Sequence, residues 1–241
     1  MIDVRDSPEE WALAERALRL TQGFARWPSL AMEQLLSVSS LGRYSRGEVI
    51  SSVVGPREML AVVSGHIVNE LDEATRSRSI IALLGPSYVF GFSRSLDGEM
   101  EGVKYTLRAL DDAVIIHMPT GQLLNILDED PILWQDMAKM LIKEFRQVME
   151  SLLILSVGSF QHRLSATIER LAILHGTKEG EEIRIRLRLT QDDLAALLRV
   201  TRQSVNKELG ELESRGAISW NYNIITVLDL NALRARGGHV A

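Results

Sequence analysis

The most specific chemistry in this sequence lies in Thr201, Arg202, Gln203, Ser204, Asn206 and Lys207, six polar residues crowded into seven positions. Arg, Gln and Asn carry donor and acceptor groups that match base edges in the major groove, and Lys suits a phosphate or a guanine. To act together, these groups must share one face of a rigid element. Val205, Leu209 and Leu212 recur at i, i+4 and i+7, which predicts a helix with those three inward. Gln203, Asn206, Lys207 and Gly210 then turn outward. Arg202 sits nearer the flank, in the first turn, where a long side chain can swing past the helix end. A polar helix face of this kind, taken alone, is read equally well as a plain solvated surface.

The flanking stretches decide between these readings. Thr190 precedes Gln191-Asp192-Asp193, a capping hydroxyl followed by an acidic first turn. Leu194, Ala195, Leu197 and Leu198 make the inner face of a first helix, the pattern lapses at Arg199-Val200, and Thr201 offers a second N-cap. Two short capped helices joined by a tight break are a helix-turn-helix signature. Gly216 can close the second helix in a left-handed conformation. Residues 217–220 and 224–227 are strand-like around Asn221-Tyr222-Asn223, a hairpin turn, which adds a wing. Upstream, residues 183–189 alternate strictly, predicting a half-buried strand with Arg184, Arg186 and Arg188 on one face. Those arginines either touch phosphate or keep an edge strand soluble.

The 241 residues are 46% hydrophobic and 24% charged, ordinary for a globular chain. No apolar run is long enough to span a bilayer and the N-terminus does not read as a signal peptide, so a cytoplasmic location is expected and no membrane partner. The chain has no cysteine, which excludes disulfides, thiol redox sensing and cysteine-ligated zinc or iron–sulfur clusters. The net charge of −5 is unevenly divided: from Gly158 onward 12 Lys+Arg face 10 Asp+Glu, and the preceding residues hold 15 against 22. An acidic body with a mildly basic end fits a chain whose nucleic-acid contact is confined to that end.

Ser7-Pro8-Glu9-Glu10 predicts a helix running to Leu20, and a second spans about 29–38. From Tyr44 to Met118 short β-rich runs recur at 48–54, 59–63, 66–71, 79–84, 105–110 and 113–117. Turn signals separate them at Gly42, Gly47, Gly55-Pro56, Ser64-Gly65, Gly85-Pro86 and Asp111-Asp112, as in a compact antiparallel sandwich or barrel. Residues 87–102 read as an irregular segment holding a small helix or a binding loop. Pro131-Ile132-Leu133 starts a long helix in which Met137, Leu141, Phe145, Val148, Leu152 and Leu155 form a stripe, read as the seam of a symmetric dimer or as a helix buried within a monomer. Gly158 is the expected hinge. A helix over 161–175 is expected to turn Leu164, Ile168, Leu171 and Leu174 inward.

This order resembles the cyclic-AMP receptor protein and FNR (CRP/FNR) family of bacterial transcription regulators, over about residues 30 to 228. The family's Thr-x-x-[Asp/Glu]-[Leu/Ile]-Ala…[Ser/Thr]-Arg-[Gln/Glu]-[Ser/Thr]-Val pattern is matched at Thr190, Asp193, Leu194, Ala195, Thr201, Arg202, Gln203, Ser204 and Val205. The resemblance implies an α+β fold: an N-terminal β-roll like a cyclic-nucleotide-binding sandwich with N-terminal helices (1–130), a long dimerisation helix (131–157) and a C-terminal winged helix-turn-helix (158–241). It implies that Arg202 and Gln203 read bases, that Thr190, Thr201 and Lys207 hold the backbone or flanking bases, and that a homodimer binds a pseudo-palindromic duplex with half-sites one helical turn apart and the DNA bent. RNA polymerase and an unknown small-molecule effector are the remaining partners it suggests.

The sensor half departs from the family pattern. Cyclic-AMP binders carry Gly-Glu-[Leu], whose glutamate holds ribose, and further on Arg-[Ser/Thr], whose arginine holds the cyclic phosphate. Here Phe92 stands at the glutamate position and Val103-Lys104 where Arg-[Ser/Thr] belongs. A buried anionic phosphate needs a charge-assisted partner, so cyclic AMP is not the expected effector. His66, His117, His162, His175 and His239 show no ligand spacing, and no resident cofactor or metal is expected. The competing reading is a ligand-sensing or protein-interaction module that no longer reads DNA. An enzyme is not expected: no nucleophile–base arrangement or phosphate loop is present, and Gly85, Gly91, Gly98 and Gly102 lack a nucleotide-fingerprint context.

Overall fold

The structure is a computed structural model and describes residues 1–52, 58–71, 78–92 and 105–237. These fall into two compact units, one within positions 1–76 and 81–145, the other within 77–80 and 146–241.

The first unit opens with a short strand, β1 (Ile2–Asp3), and helix α1 (Pro8–Leu20), which starts where the sequence indicates, the Glu10 amide donating to Ser7 Oγ at 3.4 Å. Helix α2 (Ser29–Leu36) follows, then strands β2 (Ser40–Tyr44), β3 (Val49–Ser52), β4 (Glu58–Ser64), β5 (Ile67–Leu71), β6 (Ser79–Leu84), β7 (Val89–Phe90), β8 (Tyr105–Ala109) and β9 (Ala113–Pro119). They form an antiparallel sandwich with sheet orders β1-β2-β9-β4-β7 and β3-β8-β5-β6. Helix α3 (Thr120–Glu129) then leads to the long helix α4 (Ile132–Ser156).

The five-stranded sheet is covered on both faces, and its sequence says so. Along β4, Met59 and Ala61 pack with the helices, whereas Leu60 and Val62 pack into the space between the sheets. On β9, Ile116 and Met118 take the helical side and Ala113 and Ile115 the other. A strand buried on both faces is apolar throughout rather than alternating. His117, buried on β9, stays satisfied there: Nε2 lies 2.8 Å from Tyr44 Oη and Nδ1 lies 2.8 Å from Glu58 Oε2.

Two differences from the sequence reading have local causes. Gly42 is not a turn but the centre of β2, paired with Ile115. A Cβ there would lie 2.5 Å from the Tyr44 ring, so the glycine makes room for a side chain on its own strand. In the segment from residue 87, Val89 and Phe90 pair with Ala61 and Leu60 as β7. Expectations for Gly55-Pro56, for 93–102 and for Val103-Lys104 lie outside the described residues, as does His239. The Ser64-Gly65 turn holds: Gly65 has φ +76 and joins β4 to β5.

Helix α4 changes character along its length. Leu133, Met137 and Met140 are buried in the first unit's core. Phe145 is 67% exposed, and Val148, Leu152 and Leu153 are exposed too. Glu144, on the same helix, is drawn out of water, and that burial lifts its carboxyl to about 7 despite a backbone hydrogen bond from Val89 and the nearby Lys143 charge.

The second unit holds α5 (Phe160–His175), β10 (Gly176–Glu179), β11 (Glu182–Ile185), α6 (Gln191–Leu198), α7 (Arg202–Ser214), β12 (Ile218–Asn221), β13 (Ile224–Val227) and α8 (Leu230–Gly237). Its sheet order is β10-β11-β13-β12. Leu164, Ile168 and Leu171 of α5 are buried, but Leu174, expected inward, is exposed: in the last turns Ala172 takes the inward place instead. The strand expected over 183–189 ends at Ile185, because β13 pairs only with Ile183 and Arg184. Burial still alternates beyond it, with Leu187 and Leu189 inside and Arg186 and Arg188 outside. Arg186 Nε donates to Thr177 Oγ1, and Arg184 lies 4.0 Å from Glu179, so both engage β10.

Candidate nucleic-acid interface

Two caps fix the geometry of the helix pair. At the start of α6 the Thr190 amide and hydroxyl both donate to Asp193 Oδ2, at 2.8 and 2.7 Å, while the Asp193 amide donates back to Thr190 Oγ1 at 3.1 Å. This reciprocal box satisfies two otherwise orphaned amides. At the start of α7 the Ser204 amide donates to Thr201 Oγ1 at 3.2 Å. Between the helices Arg199 takes a left-handed conformation, φ 54 and ψ 50, and the Val200 amide returns to the Ala195 carbonyl at 3.1 Å. That left-handed residue is what turns the chain sharply.

Helix α7 buries Val205, Leu209 and Leu212, as its spacing predicts. Arg202, Gln203, Asn206, Lys207 and Gly210 are exposed, so four polar side chains share one open face. Thr190 and Ser204 sit differently. Both are half-buried and committed to caps, Ser204 Oγ lying 2.9 Å from Thr201 Oγ1. Gly216 ends the helix region at φ +70, the Ala217 amide reaching the Leu212 carbonyl at 3.1 Å.

Strands β12 and β13 form the wing. Asn221 pairs with Ile224, which leaves Tyr222-Asn223 as a two-residue turn with φ 50 and 63. Paired positive φ values are what a tight right-twisted hairpin requires. The Trp220 amide donates to Glu213 Oε1 at 3.0 Å and so ties the wing to α7.

The face carries contacts that sequence reasoning missed. Gln191 Oε1 accepts from Arg202 Nε at 3.3 Å, and Gln191 Nε2 donates to Asn206 Oδ1 at 2.8 Å. Asp192 Oδ2 lies 3.3 Å from Arg202 Nη1. Gln191 and Asp192 were legible only as an acidic first turn; the signal that they meet α7 is their place at the N-terminus of the helix that packs across it. Among the described residues no cluster of His, Asp and Glu could hold a metal ion.

Comparison with known proteins agrees with this geometry. Residues 162–236 match the Crp-like helix-turn-helix domain. The "Anaerobic regulatory protein" of Haemophilus influenzae is 28% identical over 126 residues, 52% of this chain and 49% of that protein, so the chain spans about half the length of that relative. The CRP-like cAMP-activated global transcriptional regulator of Mycobacterium tuberculosis is 23% identical over 80% of this chain and 86% of its own. Among solved structures, a CRP/FNR-family transcriptional regulator from Thermus thermophilus superposes with a TM-score of 0.66 at 25% identity, over 84% of this chain and all of the other. FixK2 from Bradyrhizobium japonicum gives 0.69 at 18% identity, over 85% of this chain and all of the other. Residues 162–236 are thus a Crp-like helix-turn-helix domain, and the chain has the α+β fold of the CRP/FNR regulators it is similar to.

Proposed function

We propose that this chain is a homodimeric, sequence-specific DNA-binding regulator of transcription. The observation that carries the reading is the open face of α7, where Arg202, Gln203, Asn206 and Lys207 stand together on a helix capped at its start and anchored by its inner apolar row. Side chains of these types match base edges and phosphates, and a rigid helix is the element that enters a major groove. Thr201 at the helix start and the wing beside it would set the helix against the backbone.

The bare apolar stretch of α4 supports the dimer. Phe145, Val148, Leu152 and Leu153 are exposed along one helix, and each such side chain contributes about 1.5–3 kcal/mol when covered. A second copy offers the same stretch and closes a two-fold seam. Two copies of α7 related by that axis call for a pseudo-palindromic site.

We further infer that cyclic AMP is not the effector, although the mycobacterial relative is named as cAMP-activated. Phe92 is buried in the apolar core with its ring 6.5 Å from that of Trp134, so this position offers a ribose no acceptor. Selection from random duplexes with the full chain tests the main reading. Enrichment of a two-fold motif is expected; recovery of no motif would instead favour a sensing or interaction module that does not read DNA.

A further inference from the structure

We propose that Gln191, outside the reading helix, sets the base preference of Asn206 and Arg202 by fixing which of their polar atoms face outward. This rests on the DNA-reading role of α7. Three observations meet here: Gln191 springs from a turn locked by the Thr190–Asp193 box, its carbonyl accepts from Arg202 Nε at 3.3 Å, and its amide donates to Asn206 Oδ1 at 2.8 Å.

The consequence follows from the atoms that remain. The Asn206 amide is planar, so with Oδ1 turned to Gln191 its Nδ2 donors point the other way. Arg202 has five donors; Nε is spent on Gln191 and one on Asp192, leaving the others outward. The pair therefore presents donors only. Donors suit groove edges rich in acceptors, guanine O6 and N7 or thymine O4, and disfavour the amino groups of adenine and cytosine. An asparagine free to turn reads adenine with both its atoms; here Gln191 withholds the acceptor.

Gln191→Glu inverts the polarity. A carboxylate at this position still holds Arg202 but cannot donate to Asn206, whose amide then flips to donate inward and turns Oδ1 outward. Gln191→Ala releases both readers.

The experiment is selection from random duplexes with the full chain, its Q191E and Q191A variants, and N206A to locate the base facing Asn206. Q191E is expected to shift that base from guanine or thymine toward adenine or cytosine by at least about fivefold. Q191A is expected to flatten preference there and at the position facing Arg202. If Q191E binds no duplex, the Q191A motif decides alone. A motif unchanged in both variants, or a uniform loss of affinity with unchanged preferences, overturns the assignment of Gln191 while leaving DNA reading intact. If the unsubstituted chain itself enriches nothing, the DNA-reading role falls and this inference with it.

Discussion

Thr190 and Asp193 hold each other across one helical turn, amide and hydroxyl to carboxylate at 2.8 and 2.7 Å and amide to hydroxyl in return at 3.1 Å. The Asp193 carboxylate is buried, so its charge needs donors such as these. Thr190→Ala removes the side-chain half of the box. It is expected to cost about 1 kcal/mol of unfolding free energy, in the range seen for N-caps, read by urea denaturation of the full chain.

Arg199 stands at φ 54 where glycine is the low-cost residue. A left-handed conformation costs a side-chain-bearing residue roughly 1–2 kcal/mol, and glycine gives back part of that through its freer unfolded chain. Arg199→Gly is expected to raise stability by up to about 1 kcal/mol, seen as a higher melting temperature of the helix-turn-helix unit.

Glu144 makes stability depend on pH. Its folded value of about 7 lies above the ordinary 4.5, so between these values the folded chain holds a proton that the unfolded chain releases. The contribution is complete below 4.5 and is lost as pH rises toward 7. At about 1.4 kcal/mol per pH unit, the full change is on the order of 3–4 kcal/mol. Denaturation at about pH 5 and about pH 8 should show this fall, and Glu144→Gln should remove it.

The exposed apolar stretch of α4, proposed as a dimer seam, predicts a clean change of state. Leu152 is 51% exposed on a single chain, so Leu152→Glu leaves the fold alone but puts two carboxylates into the proposed two-fold contact. Losing a covered leucine from each copy costs at least about 3 kcal/mol, so the dimer dissociation constant should rise by about 100-fold or more. Sedimentation equilibrium with and without the substitution reads this directly.

The helix-turn-helix was legible in the sequence because each of its signals is local: Thr190 and Thr201 as caps, the Val205–Leu209–Leu212 row, Gly216 after it. Paired strands were harder to read. Residues 40–44 show no alternation, since Gly42 is there to accommodate Tyr44, and β10 needs β11 as partner before its polar residues read as a strand. Leu174 obeyed the period of its helix, yet Ala172 is the residue that turns inward there. The Gln191 bridge joins residues 15 apart across two helices, a relationship that spacing along one helix does not reveal.

The most direct test compares Arg202→Ala with Lys207→Ala on a selected duplex and its single-base variants, across a salt series. Arg202→Ala should cost roughly 1–3 kcal/mol and erase preference at one base position per half-site. Lys207→Ala should weaken all variants alike and reduce the salt slope by about one unit. Equal loss from Arg202→Ala on every variant would contradict base reading by α7.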